Sequence, residues 1–458
     1  MPRTKNLDLT QGIIWKQLLL FLLPIAAGTL FQQFYSTVDA IVVGRFLGSD
    51  ALAAVGGSAA VIVQLVVGIF TGLSSGATVV ISHGYGADDQ EKLTRAVHTS
   101  IAFSLLGGIV ITVVGILLTP QSLVWLKNPQ EIMADATLYL RWYFVGTIPM
   151  LLFNMGSGIL RAVGDSKRPL YYLMLCCLLN IVLDPVFIFV FGMGVSGAAL
   201  ATILSQAVSA AWVLRFLFSA KSGIRIRRGN MKFEKRVVGK VIGLGIAPFI
   251  MQSTESLVNI TLNAGLQRYG GDLYVGSMTI MQSVMQMLVM PIQGITQGAQ
   301  PIMSYNYGAK NYSRVRKTFS LLLKVMLLVT VSGFALAALL PGVLARMFTQ
   351  DAELIEIVKK MMPIFFGGIW AFGAQMACQT TFMALGQAKI SLFLALLRKV
   401  VLLVPLALLL PVVMGGNVLG IYIAEPVADV IASFTTLSLF LIKRKTLLPD
   451  GGAPAKSK

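Results

Sequence analysis

Two stretches, GLSSGATVVISHGYGADD from Gly72 to Asp89 and GITQGAQPIMSYNYGAKN from Gly294 to Asn311, lie 222 residues apart and can be laid one upon the other. Gly72, Gly76, Ser82, Tyr85, Gly86 and Ala87 fall on Gly294, Gly298, Ser304, Tyr307, Gly308 and Ala309. The same offset returns where LRAVGDSK, Leu160 to Lys167, meets FMALGQAK, Phe382 to Lys389, pairing Ala162, Gly164 and Lys167 with Ala384, Gly386 and Lys389. Two matches at one offset mark an internal repeat, each copy about half the chain.

The surroundings of these stretches are those of a membrane protein. The 458 residues are 56% hydrophobic and 12% charged, with mean hydropathy +0.78, a balance that no water-facing surface could carry. Apolar runs of about 20 residues, each able to cross a hydrocarbon core about 30 Å thick, recur along the whole length. They place spans near residues 17–43, 51–82, 96–118, 137–160, 170–193, 197–219, 241–267, 274–304, 318–340, 359–384, 391–413 and 418–442. Each repeat therefore holds six spans, an even number, so both copies enter the membrane in the same sense. The expected fold is an all-α integral membrane protein of twelve transmembrane helices in two parallel six-helix lobes, related by a pseudo-twofold axis along the membrane normal. The lobes take residues 1–220 and 241–442, separated by a basic linker at 221–240 and followed by a tail at 443–458.

Charge sets the orientation. The N-terminus, the linker, the tail and the loops on their side hold 25 Lys and Arg residues, against seven in the opposite loops. The positive-inside rule makes both termini cytoplasmic. Arg3 and Lys5 precede the first span and no small-residue cleavage site follows it, so a retained first helix is expected. The net charge of +18 is spread over every cytoplasmic loop beside apolar spans, which suits anionic lipid and argues against nucleic acid. Cys176, Cys177 and Cys378 lie within spans without metal-ligand spacing and read as packing residues. His83 and His98 flank a cytoplasmic loop, where a solvated or lipid-facing histidine needs no function.

Parallel lobes joined by a cytoplasmic linker are suited to rocking about a central site, the behaviour of a secondary transporter. The chain has no phosphate-binding loop, no nucleophile with a base and no metal cluster, so an enzyme is not expected and an ion gradient would supply the energy. On the eighth span Gln282, Gln286, Gln293, Gln297 and Gln300 share one helical face, and the second span carries Gln64, Thr71, Ser75 and Thr78 on one face. With Met281, Met285 and Met287 among the amides, these faces read as an adaptable cavity wall rather than as helix glue.

An ionised carboxylate inside a bilayer needs a partner, a cation or a proton. Asp39 and Asp184 each lie past the middle of an outward-running span and share a depth in the outer half. Asn180 lies one helical turn before Asp184, and Pro185 weakens the turn around residue 181. Such an oxygen-rich pocket could hold Na⁺, or its two carboxylates could share a proton. At the repeat offset Asp184 meets Leu406 and Asn180 meets Leu402, so the pocket belongs to the first lobe alone. Glu425 and Asp429 share a face that Arg398 can reach, which reads as a structural ion pair. Glu255, among Gln252, Ser253, Thr254 and Ser256, fits cation recognition or interhelical bonding.

The stretches LNIVLDPVFIF, GVSGAALATILSQ, LPIAAGTLFQQFYSTVD and QGAQPIMSYNYGA together resemble the multidrug and toxic compound extrusion (MATE) transporters, over nearly the whole chain. The resemblance implies two six-helix lobes arranged as a V that export organic cations or amphipathic drugs in exchange for Na⁺ or H⁺. By matching position it implies a cation-coupling site at Asp39, Asn180, Asp184 and Thr202, with Asn154 as a neighbour, and no other cofactor. Gln64, Glu255, Gln282, Met285, Gln286 and Gln293 are then the expected substrate wall. The tenth span, GGIWAFGAQMACQ, lacks the acid that one branch of the family carries there, and the Gln-rich eighth span resembles Gram-positive drug exporters. A monomer is expected. The rival reading is a flippase for a lipid-linked saccharide, which would favour a strongly cationic cleft.

Overall fold

The computed structural model describes residues 9–227, 229 and 233–449. Arg3 and Lys5, part of the basic linker, and the tail beyond residue 449 lie outside the described residues. The described chain is helical without a strand. Its long apolar helices are α1 (Ile14–Phe46), α2 (Ser49–Gly86), α3 (Gln90–Trp125), α5 (Lys167–Val190), α6 (Val195–Phe218) and α7 (Lys235–Tyr269). They continue as α8 (Asp272–Gly308), α9 (Tyr312–Leu339), α10 (Ala352–Ala384), α11 (Ala388–Val413) and α12 (Leu419–Leu447). Between α3 and α5, Gln130–Val145 and Thr147–Ala162 form a pair bent by 47°, and counting the pair as one span, α4, gives the expected twelve.

The chain divides into two compact units. The first takes residues 23–249 with the described residues of 1–12, and the second takes residues 13–22 with those of 250–458. The opening turns of α1 thus count with the second unit, and the opening turns of α7 with the first. Small residues make room for this. In the first unit a Cβ at Gly76 would lie 2.2 Å from the Val241 carbonyl oxygen, and one at Gly245 would lie 2.7 Å from that of Gly72. Only glycine lets α2 and α7 approach backbone to backbone. In the second unit Gly298, the repeat partner of Gly76, faces Phe21 and Leu22 of α1.

The 222-residue repeat is also visible in hydrogen bonds. Ser82 Oγ donates to the Ala162 carbonyl at 3.0 Å, and Ser304 Oγ donates to the Ala384 carbonyl at 3.0 Å. In the first unit Ser74 and Thr78 extend the ladder, donating to the carbonyls of Asn154 at 2.7 Å and Gly158 at 3.1 Å. The helix starts match as well. Asp89 accepts from the Lys92 amide at 3.0 Å and Asn311 accepts from the Arg314 amide at 3.2 Å, each satisfying an amide that the first turn leaves free. The residue before each cap is left-handed, Asp88 at φ 56° and Lys310 at φ 58°. Lys92, bonded to the Asp89 side chain, holds that carboxyl below the usual carboxylate range.

The bend in α4 has a local cause. Thr147 Oγ1 donates to the Phe144 carbonyl at 2.8 Å, and Thr112 Oγ1 of α3 reaches the same carbonyl at 2.9 Å. Hydroxyls thereby satisfy a carbonyl freed at the break, as a span in hydrocarbon requires. α10 is interrupted at the equivalent place by one 3₁₀ turn, Phe366–Gly368.

Candidate functional site

In the first unit, α5 brings Asn180 and Asp184 onto one face, and both are almost fully buried, at 1% and 0% exposed. After Pro185 the helix loosens into a π turn, Val186–Val190, a widening that proline, with no amide to donate, permits. Asn180 Nδ2 points at Asp184 Oδ1 across 3.5 Å and donates to Thr202 Oγ1 of α6 at 3.1 Å. The carboxyl of Asp39, from α1, comes close enough to that of Asp184 for the two to interact. The structure thus brings Asp39, Asn180, Asp184 and Thr202 together. Asn154 spends its amide on the Met150 carbonyl of its own helix, at 2.9 Å.

What this cluster lacks is donors. Asp39 Oδ1, Asn180 Oδ1 and Asp184 Oδ2 are each shut off from solvent without a hydrogen-bond partner. Leaving buried acceptors unmatched is costly, and more so for a charged group. Two carboxylates, an amide oxygen and the Thr202 hydroxyl form an oxygen-only set, which suits a hard monovalent cation or a proton better than a thiophilic metal. Tyr35 and Tyr139 lie within electrostatic range of Asp39. Sequence reasoning passed over both, because a tyrosine in an apolar span gives no signal of its own.

The expected substrate wall is distributed over both units. Gln64 of α2, in the first unit, is exposed. In the second, Gln286 and Gln293 of α8 are exposed and Met285 is half-buried. Gln282 joins helices, donating to Asn259 Oδ1 of α7 at 3.0 Å. Glu255 is ion-paired: Lys399 of α11 donates to its Oε2 at 2.8 Å. One position along, Arg398 binds Asp429 Oδ1 at 2.5 Å and Glu425 Oε1 at 3.1 Å, both on α12. The sequence reading assigned Arg398 one acid, and it holds two. His98 departs from its reading as a solvated or lipid-facing residue. It is 2% exposed, bonded through Nδ1 to the Thr94 carbonyl at 2.7 Å, and its Nε2 accepts from the Arg227 amide of the linker at 2.8 Å.

The MatE family model matches residues 24–186 and again 248–409, one match in each half of the chain. The chain belongs to the MatE family. This bears out the resemblance read from the sequence, and the all-helical fold with it. Among similar proteins, the probable multidrug resistance protein YoeA of Bacillus subtilis (strain 168) is 25% identical over 422 residues, 91% of either chain. The multidrug export protein MepA of Staphylococcus aureus (strain NCTC 8325 / PS 47) is 24% identical over 418 residues, 90% of this MatE chain and 91% of that protein. A solved MATE structure in the bent conformation superposes with a TM-score of 0.90 at 25% identity, over 97% of this chain and 98% of that one. A MOP superfamily transporter from Pyrococcus furiosus shares the fold, with a TM-score of 0.88 at 24% identity over 98% and 99% of the two chains. This MatE chain is therefore a multi-pass membrane protein of a bacterial multidrug transporter family, and not an enzyme.

Proposed function

We propose that the chain is a cation-coupled antiporter that exports organic cations or amphipathic drugs by alternating access. It would work as a monomer in a bacterial inner membrane with both termini in the cytoplasm. One observation carries the reading: the donorless oxygens of Asp39, Asn180 and Asp184, buried together in the first unit. The family relatives named for multidrug resistance and export support the substrate class.

The nearness of the two carboxyls favours a shared proton as the coupling ion. With the proton gone the unit holds a second negative charge in its apolar interior; with it the pair bonds internally. The two states differ in local charge, and a gradient can bias an equilibrium only through such a difference. Na⁺ is the second reading, favoured by the amide and hydroxyl oxygens around the acids. The flippase reading is not favoured, because an acid-bearing pocket has the wrong sign for a pyrophosphate.

The test is ethidium transport in proteoliposomes under imposed gradients. Transport that a protonophore collapses at constant Na⁺ supports the proton. Transport that survives the protonophore and follows Na⁺ replaces the proton by Na⁺, and transport indifferent to both overturns coupling altogether.

A further inference from the structure

Five charged side chains on α7, α11 and α12 of the second unit are ion-paired, and they divide into two kinds. Arg398, Glu425 and Asp429 are all buried and bonded among themselves. This is an internal tie between α11 and α12 with no opening. The neighbouring pair is different: the Glu255 side chain is 45% exposed, whereas that of Lys399 is 10% exposed.

Glu255 lies close to the midpoint of α7, and Lys399 close to that of α11. At that depth lipid tails cannot solvate an ionised carboxylate. The exposed half of Glu255 therefore calls for water or a polar ligand beside it. Lys399 also sits in a π-helical segment, Leu397–Leu403, a geometry frequent at functional sites. The fold does not demand the pair, since the repeat positions of Glu255 and Lys399 are Gln33 and Cys177.

We propose that Glu255 and Lys399 form a recognition site for zwitterions, ligands carrying an ammonium and a carboxylate close together. The ligand ammonium takes the place of Lys399 on Glu255, and the released Lys399 takes the ligand carboxylate. Two ion pairs then stand where there was one. A ligand with only a cation displaces Lys399 and offers it nothing, leaving a buried ammonium without a bonded partner. The other acid within its field, Glu425, is already held by Arg398. The pair thus selects on the second charge of the ligand, which a lone carboxylate could not do. The amides of Asn259 and Gln282, bonded to each other nearby on α7 and α8, supply a polar rim.

The proposal rests on the drug-export reading, and the experiment separates the two. Binding of a zwitterionic fluoroquinolone and of its ethyl ester, which keeps only the cation, is measured on the purified full chain, beside ethidium transport in proteoliposomes. The expected result is a preference for the zwitterion of about tenfold, abolished by Lys399→Gln. The charge-reversed double variant, Glu255→Lys with Lys399→Glu, restores the preference. A purely structural pair would lower the melting temperature in the single variant and leave the zwitterion-to-ester ratio unchanged. That outcome, with ethidium transport intact, overturns the zwitterion site alone; no ethidium transport and no binding of either fluoroquinolone by the folded wild-type chain overturns the drug-export reading with it.

Discussion

The two repeats share a scaffold and treat charge inside the membrane in opposite ways. In the first unit Asp39 and Asp184 have an amide, a hydroxyl and each other, and no cation bonded among the described residues. In the second, Glu255, Glu425 and Asp429 each have a cation supplied by α11. At the repeat offset no charge of either set recurs. Asp39 meets Thr261, and Asp184 meets Leu406, or Ala407 once the π turn in α11 is allowed its extra residue. Arg398 and Lys399 meet Cys176 and Cys177. The helices therefore need none of these charges in order to pack. The first unit leaves its carboxylates to something that arrives and departs, and the second neutralises most of its own with the chain itself.

The largest effect is expected where the chain does the neutralising. Arg398→Ala strands two buried carboxylates at once and should cost about 3–5 kcal/mol, read as a drop in melting temperature in detergent. Adding Glu425→Gln and Asp429→Asn should recover most of the loss, because the uncompensated charge goes with them. A melting temperature unmoved by Arg398→Ala would break the comparison at its stronger end.

In the first unit the same kind of change should act on transport and not on stability. Asp184→Asn removes a charge to which no cation is bonded among the described residues, so the variant should melt at or above the wild-type temperature. Its gradient-driven ethidium flux should fall roughly 100-fold, equivalent to about 2.7 kcal/mol. Wild-type flux in everted vesicles from a folded Asp184→Asn chain would remove the first unit as the coupling site.

Much of this contrast was legible in the sequence, for identifiable reasons. Hydrocarbon thickness fixes the length of a span, so the apolar runs gave twelve helices, and any carboxylate within such a run stands out. Asp184 and Asn180 were readable because partners one turn apart on a single helix need no tertiary knowledge. The Glu255–Lys399 bond was not readable. It joins α7 to α11 across 144 residues, and a long side chain finds its partner only when two distant helices pack. The bend in α4 was hidden likewise, since the hydroxyl that supports it, Thr112, comes from α3. The burial of His98 depended on where the linker runs, which its basic composition did not disclose.

The smallest effect tests the shared scaffold on which the comparison stands. Ser82 and Ser304 make the same bond to the same repeat position at the same length, 3.0 Å, and both are fully buried. Each replacement by alanine leaves one carbonyl without that donor, at a cost of about 1 kcal/mol. Because the two serines lie in separate units and share no partner, the double variant should lose the sum of the two single losses. Equal single losses, additive in the double variant and without effect on ethidium flux, are expected from denaturant unfolding beside the transport assay. A loss several times larger in one unit would mean that the repeats do not carry equivalent frames, and the difference in their buried charges would then have to be traced to the frames themselves.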